Sequence, residues 1–186
     1  MKADLLVTVS LISLAMSQSL LEATAVYPQL SSFRNLLQTH PSLIPPANDL
    51  QLTVLVPSNG AFNDYLQSTG NYVASLPLDT LSNMLQYHTL TTVLSSAEFS
   101  RNLQVLANSQ LTNETYDHRG GTDGQVVLIS AVTSNTTNTS TISVSQSTPQ
   151  AVDTVLSGGG VTVNMDAIDG PWAGGLFQIV DGYVSI

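Results

Sequence analysis

The stretch from Leu52 to Phe62, Leu-Thr-Val-Leu-Val-Pro-Ser-Asn-Gly-Ala-Phe, leaves this chain few ways to fold. Thr53 to Val56 is an unbroken β-branched and aliphatic run, the composition of a strand covered on both faces. Pro57 stops it, because proline has no N–H to give a sheet ladder. Ser58 and Asn59 both suit a helix N-cap, with a side-chain oxygen that accepts from a backbone N–H one turn on. Phe62, Tyr65 and Leu66 follow at i, i+3 and i+4, on one face of a short helix. A buried strand therefore hands over, through a proline stop and a polar cap, to an amphipathic helix.

Helical signals surround this unit. Ser19–Tyr27 and Ser31–His40 read as two helices broken at Pro28, with Ser31 or Ser32 able to cap the second. Pro41, Pro45 and Pro46 impose an irregular connection into the strand. Pro77 suits the first turn of another helix, capped by Ser75, whose apolar stripe Leu78, Leu81, Met84 and Leu85 ends at Tyr87-His88. Thr89–Leu94 has the content of a short strand, and Ser95 or Ser96 can cap a small helix through Phe99. Leu103–Leu111 is apolar at alternate and helical spacings alike. Beyond it the chain turns strand-like, with segments at Gln125–Ser130, Thr141–Ser145 and Val161–Met165. A Gly-Pro-Trp-Ala-Gly-Gly turn is expected at 170–175 and a last strand at Leu176–Tyr183. Helices first and strands later argue for an α+β fold rather than a βαβ parallel sheet.

Charge narrows the function. Only 9% of the 186 residues are charged, against roughly 25% in ordinary soluble domains, and the net charge is −9. Lys2, Arg34, Arg101 and Arg119 are the cations, too few to neutralise a phosphate backbone, so nucleic acid is excluded as a partner. No cysteine is present, and a core from 42% hydrophobic residues needs neither disulfide nor metal. Lys2, the apolar run Leu5–Ala15 and the small-x-small sequence Ala15-Met16-Ser17 make residues 1–17 an expected signal peptide, with 18–186 as one domain. The competing reading makes Leu11–Ala25 a first core helix. Asn113, Asn135 and Asn138 each begin a glycosylation sequon, which fits export.

Catalysis finds little footing. Ser58 lacks the Gly-x-Ser-x-Gly elbow of hydrolases. Asp117, His118 and Asp123 match no calcium-loop spacing, and Asp166, Asp169 and Asp181 read as turn or strand-end residues. Gly158-Gly159-Gly160 has no lysine and no flanking strand and helix to make a phosphate loop. No catalytic residue, cofactor or metal is expected.

Three blocks, in order, resemble the fasciclin I adhesion domain. Thr53–Phe62 resembles its first block, Leu85-Gln86-Tyr87-His88 its central Tyr-His motif, and Gly175–Val184 its closing block. The resemblance spans roughly Ser17–Ile186. Gln178 stands where the closing block usually has histidine, and the Asn/Thr-rich loop near residue 137 is longer than the minimal pattern. The strand-rich insert and the absence of cysteine look most like fungal, secreted members. The resemblance implies helices mainly in the N-terminal half, packed on a β-sandwich or wedge built mainly by the C-terminal half. It also implies a secreted or cell-surface glycoprotein acting in adhesion to a cell-surface or matrix protein or glycan, with weak self-association. Membrane association would run only through an anchor not present in this chain. Tyr87 and His88 are the binding candidates it carries over; the residues themselves suggest a buried His88 tying the helix end to the neighbouring strand. The alternative is a non-catalytic carbohydrate- or small-molecule-binding module with an apolar pocket near Trp172 and Tyr183.

Overall fold

The computed structural model of the chain describes residues 18–46, 51–95, 97–98, 104–111, 126–133, 140–146 and 165–182. The expected signal peptide, the sequons at Asn113, Asn135 and Asn138, the Asp117-His118-Asp123 loop, Gly158–Gly160, residues 161–164 of an expected strand and Tyr183 lie outside the described residues.

Strand β1, Leu52–Pro57, is buried along its whole length. It is flanked on one side by β2 (Thr89–Leu90), antiparallel, and on the other by β7 (Gly175–Val180), parallel. β6 (Met165–Trp172) completes a four-stranded sheet in the order β2-β1-β7-β6. β3 (Gln104–Asn108), β4 (Val126–Thr133) and β5 (Ser140–Gln146) form a second, antiparallel sheet. The sheets meet where Leu90 bridges Ser109 and Gln110 donates its N–H to the carbonyl of Thr89 at 2.8 Å. The α+β architecture expected from the sequence is therefore present. Among the described residues its one parallel pair is closed by residues more than a hundred positions apart, far beyond a single crossover helix.

Leu52, Val54 and Val56 share one face of β1 and join a core with Leu20, Leu30, Phe33, Leu37 and Trp172. Helix α1 is short, Leu20–Ala23, and tightens at once into a 3-10 turn over Thr24–Val26, so the expected Ser19–Tyr27 helix is two pieces. Ser19 and Glu22 cap α1 reciprocally: the Glu22 N–H donates to Ser19 Oγ, and Glu22 Oε2 accepts from the Ser19 N–H at 2.8 Å. Helix α2 is Ser31–Thr39, α3 is Asn59–Thr69 and α4 is Leu78–Tyr87. Ser75 does not cap α4; it sits in a 3-10 turn and gives its hydroxyl to Tyr72 O, while Pro77 occupies the cap position. The β2 strand is shorter than expected because Thr53 takes over where its ladder ends. The Thr53 hydroxyl donates to Thr92 O and accepts from Leu94 N–H, both at 2.8 Å.

The expected turn at 170–175 is in fact mostly strand. Gly170, Pro171 and Trp172 pair with Phe177, Leu176 and Gly175 in β6–β7, leaving only Ala173-Gly174 as the turn. Pro171 is tolerated because β6 is an edge strand. The register shifts between Asp166 and Gly170, a bulge in which Asp169 takes a φ of 46°. Gly175 has a φ of 138°, and a Cβ there would overlap the backbone of Leu52, so the close approach of β7 to β1 requires glycine.

Candidate functional site

The three sequence blocks converge on one strand, and each spends its polar side chains on partners within the chain. In the first block Ser58 caps α3 through its Oγ, accepting from Ala61 N–H at 3.3 Å. Asn59 reaches away to α2. Its Oδ1 accepts from the Ser32 N–H at 2.9 Å, and its Nδ2 donates to Ser31 Oγ at 3.0 Å and to Pro28 O at 3.3 Å. The residue before α2, Leu30, has no side chain able to cap it, and neither Ser31 nor Ser32 takes the role expected of them. A distant asparagine satisfies the orphan N–H instead, locking two helices at one corner.

The central motif sits at the C-terminal end of α4. Tyr87 is fully buried and His88 is 2% exposed. His88 Nδ1–H donates to the carbonyl of Leu55 at 2.9 Å, and the Leu55 N–H donates back to the His88 carbonyl at 2.8 Å. A carbonyl can only accept, so this partner places a proton on Nδ1. The pair continues the β1–β2 ladder by one step and ties the helix end to β1. Tyr87 Oη has no hydrogen-bond partner among the described residues, and burial pushes its phenol above the ordinary range.

Gln178, in the closing block, is fully buried in β7 and makes four hydrogen bonds. Its Oε1 accepts from the N–H groups of Ile168 and Asp169, at 2.9 and 3.1 Å, across the mouth of the bulge. Its Nε2 donates to Leu94 O at 3.1 Å and to Asp169 Oδ1 at 2.7 Å. Backbone N–H groups demand an oxygen and a carboxylate demands a donor, so these partners fix the orientation of the amide. Its spacing in the closing block drew attention to Gln178; nothing local in sequence named the bulge it fills.

Trp172 corrects an expectation. It is fully buried, and its indole N–H donates to Leu176 O at 3.2 Å, so it fills the core rather than lining a ligand pocket. Open space lies elsewhere. A groove of about 280 Å³ runs between α2, α3 and the 3-10 turn Val73–Ser75. Leu36, Phe62, Leu66 and Val73 supply its apolar part, and Ser32, Asn35, Thr39 and Asn63 its polar part. Tyr72 lines it while remaining 68% exposed. Leu36 and Val73 also wall a small apolar cavity of about 20 Å³ that reaches His88, so the groove backs onto the central motif. A second recess of about 120 Å³ lies between Pro45, Pro46, Gln86 and Gln110.

A sheet with a distant parallel pair, β1 with β7, and the end of α4 tied to β1 by buried His88 define an α+β module. The sequence matches the fasciclin domain family over residues 28–167, well over half of the chain, and the protein belongs to that family. The matched span stops short of β7, yet β7 pairs with β1 along all six of its residues. No curated protein matches the chain. Fasciclin domains are generally linked to cell adhesion, occur in extracellular or surface proteins and are typically non-catalytic. No helix among the described residues is long and apolar enough to cross a membrane.

Proposed function

We propose that this chain is a secreted or cell-surface glycoprotein whose fasciclin domain serves adhesion to a matrix or cell-surface partner, without catalysis of its own. The observation that carries this reading is the inward use of the three blocks. His88 and Gln178 bond across the core and Asn59 bonds to the neighbouring helix, so each polar side chain is spent within the chain, which is the work of a scaffold presenting a surface. On this reading Tyr87 and His88 hold the end of α4 against β1 and act on adhesion through the shape of the domain. Residues 1–17 serve as the export signal, Asn113, Asn135 and Asn138 as glycan acceptors, and weak contacts gain strength through multivalency or self-association.

Cell binding by beads coated with the secreted domain tests the adhesion reading, with His88→Ala as the informative variant. We expect a lower melting temperature with cell binding retained per folded molecule at low temperature. Full stability with abolished cell binding would instead make His88 a direct contact. Intact mass of the secreted protein tests the rest, and an unglycosylated chain beginning at Met1 would remove the export and glycan assignments.

A further inference from the structure

The groove between α2 and α3 has an unusual lining for so acidic a protein: among the described residues, no lining side chain carries a charge. An anionic or cationic ligand would find no counter-charge among these side chains, which favours a neutral occupant. Asn35 and Asn63, both exposed, present amides that can donate and accept at once. The Thr39 hydroxyl gives its proton to Asn35 O at 2.9 Å, which leaves its oxygen lone pairs facing a donor. Tyr72 adds an exposed aromatic side chain beside the floor made by Phe62 and Leu66. An aromatic held at 68% exposure gains little from the fold, and it offers a rigid apolar face with a polar tip. The volume, about 280 Å³, falls just below the roughly 300–1,000 Å³ of sites for drug-sized ligands. It admits one ring, or the end of a longer chain.

We infer that this groove is a binding site for a neutral saccharide, taking one pyranose ring of a cell-surface or matrix glycan. A pyranose has an apolar C–H face to lay on Tyr72 and a rim of hydroxyls that both donate and accept, which is what Asn35, Asn63 and Thr39 are placed to meet. The inference deepens the adhesion reading and rests on it for the source of the glycan. The groove lies between α2 and α3, the two helices that Asn59 joins, so its shape depends on that corner.

The test is an amide chemical-shift titration of the full secreted chain with laminarihexaose, cellohexaose, mannohexaose and N-acetylated chitohexaose. At least one should shift the amides of Asn35, Asn63 and Tyr72 together. Tyr72→Ala and Asn63→Ala should each weaken that binding at least about ten-fold, while the melting temperature stays unchanged because both side chains are exposed. Val26→Ala, at another exposed apolar residue outside the groove, should bind as the parent does. The inference is overturned if none of these saccharides shifts the groove amides, if the shifts map elsewhere, or if binding survives Tyr72→Ala. Adhesion without saccharide binding would remove the groove and leave the adhesion reading intact. Saccharide binding lost in Tyr72→Ala with adhesion unchanged would keep the groove and move the adhesive surface elsewhere.

Discussion

Replacing Gln178 with leucine should be among the most damaging conservative-size changes in this chain. The side chain is fully buried, and its amide meets four groups at 2.7 to 3.1 Å. Leucine fills a similar volume and bonds to none of them. Each buried group left unsatisfied costs about 1–3 kcal/mol. The Leu94 carbonyl belongs to a residue only 5% exposed and bears its cost in full. Ile168 and Asp169 are half-buried, so water recovers part of theirs. The expected loss is about 3–5 kcal/mol, a large fraction of the roughly 5–15 kcal/mol that holds a typical domain. At about 2–4 °C per kcal/mol for a chain of this size, the melting temperature should fall by roughly 6–20 °C. Urea unfolding and thermal melting measure it, and amide exchange should quicken at Ile168 and Asp169. Gln178→Glu adds a sign test. It sets a carboxyl against the Asp169 carboxylate in a buried site, so the folded state holds one proton more tightly than the unfolded chain does. A folded pKa raised in this way means stability is fully present below the unfolded pKa and is lost as pH rises through the folded one. The glutamate variant should therefore be closer to the parent in acid than at neutral pH, whereas the leucine variant keeps its deficit throughout. A leucine variant that melts within about 2 °C of the parent would refute the network as a stabilising element.

Asn59→Ala should cost about 1–2 kcal/mol by urea unfolding, because it uncaps α2 and loses the link to Pro28 O; Asn59→Asp, which keeps the acceptor at a helix N-terminus, should cost less. Gly175→Ala should destabilise by at least about 3 kcal/mol or prevent folding, since it combines a positive φ with overlap onto the Leu52 backbone. Hydrogen bonds from the Ser19 backbone, and then from its hydroxyl, hold the Glu22 carboxyl below its ordinary pKa. That capping contribution is present above the unfolded pKa and fades as pH falls through the lowered folded value, and an NMR titration of Ser19→Ala should find the Glu22 pKa raised only part of the way, because the backbone N–H at position 19, the larger cause, remains.

Much of the fold was legible because its signals are local. The β1 composition, the Pro57 stop and the Ser58 cap act within a few residues of one another, and each appears where the sequence placed it. The Tyr87-His88 end of α4 was legible for the same reason, with the stripe ending in buried Tyr87. The saccharide groove was not, because Asn35, Asn63 and Tyr72 come from separate elements and look like ordinary surface residues until packing brings them together. Trp172 misled in the opposite sense. A lone tryptophan beside glycines resembles a ligand platform, yet Gly174 leaves the room its ring occupies, since a Cβ there would overlap it.

Residue order and chemistry by themselves determined the family blocks, the α+β order of elements, the low content of charged residues, and a strand built for burial on both faces. Tertiary structure alone decided who covers those faces. That β7 runs parallel beside β1, that Asn59 caps another helix, and that Gln178 fills a bulge in β6 all depend on contacts between residues far apart in sequence. Propensity and capping depend on neighbours along the chain, whereas a buried amide or a strand edge is satisfied by whatever the collapsed core brings within about 3 Å. Leu52 to Phe62 belongs to both accounts: its own residues make it a strand and a helix, and the fold around it makes it the axis of the domain.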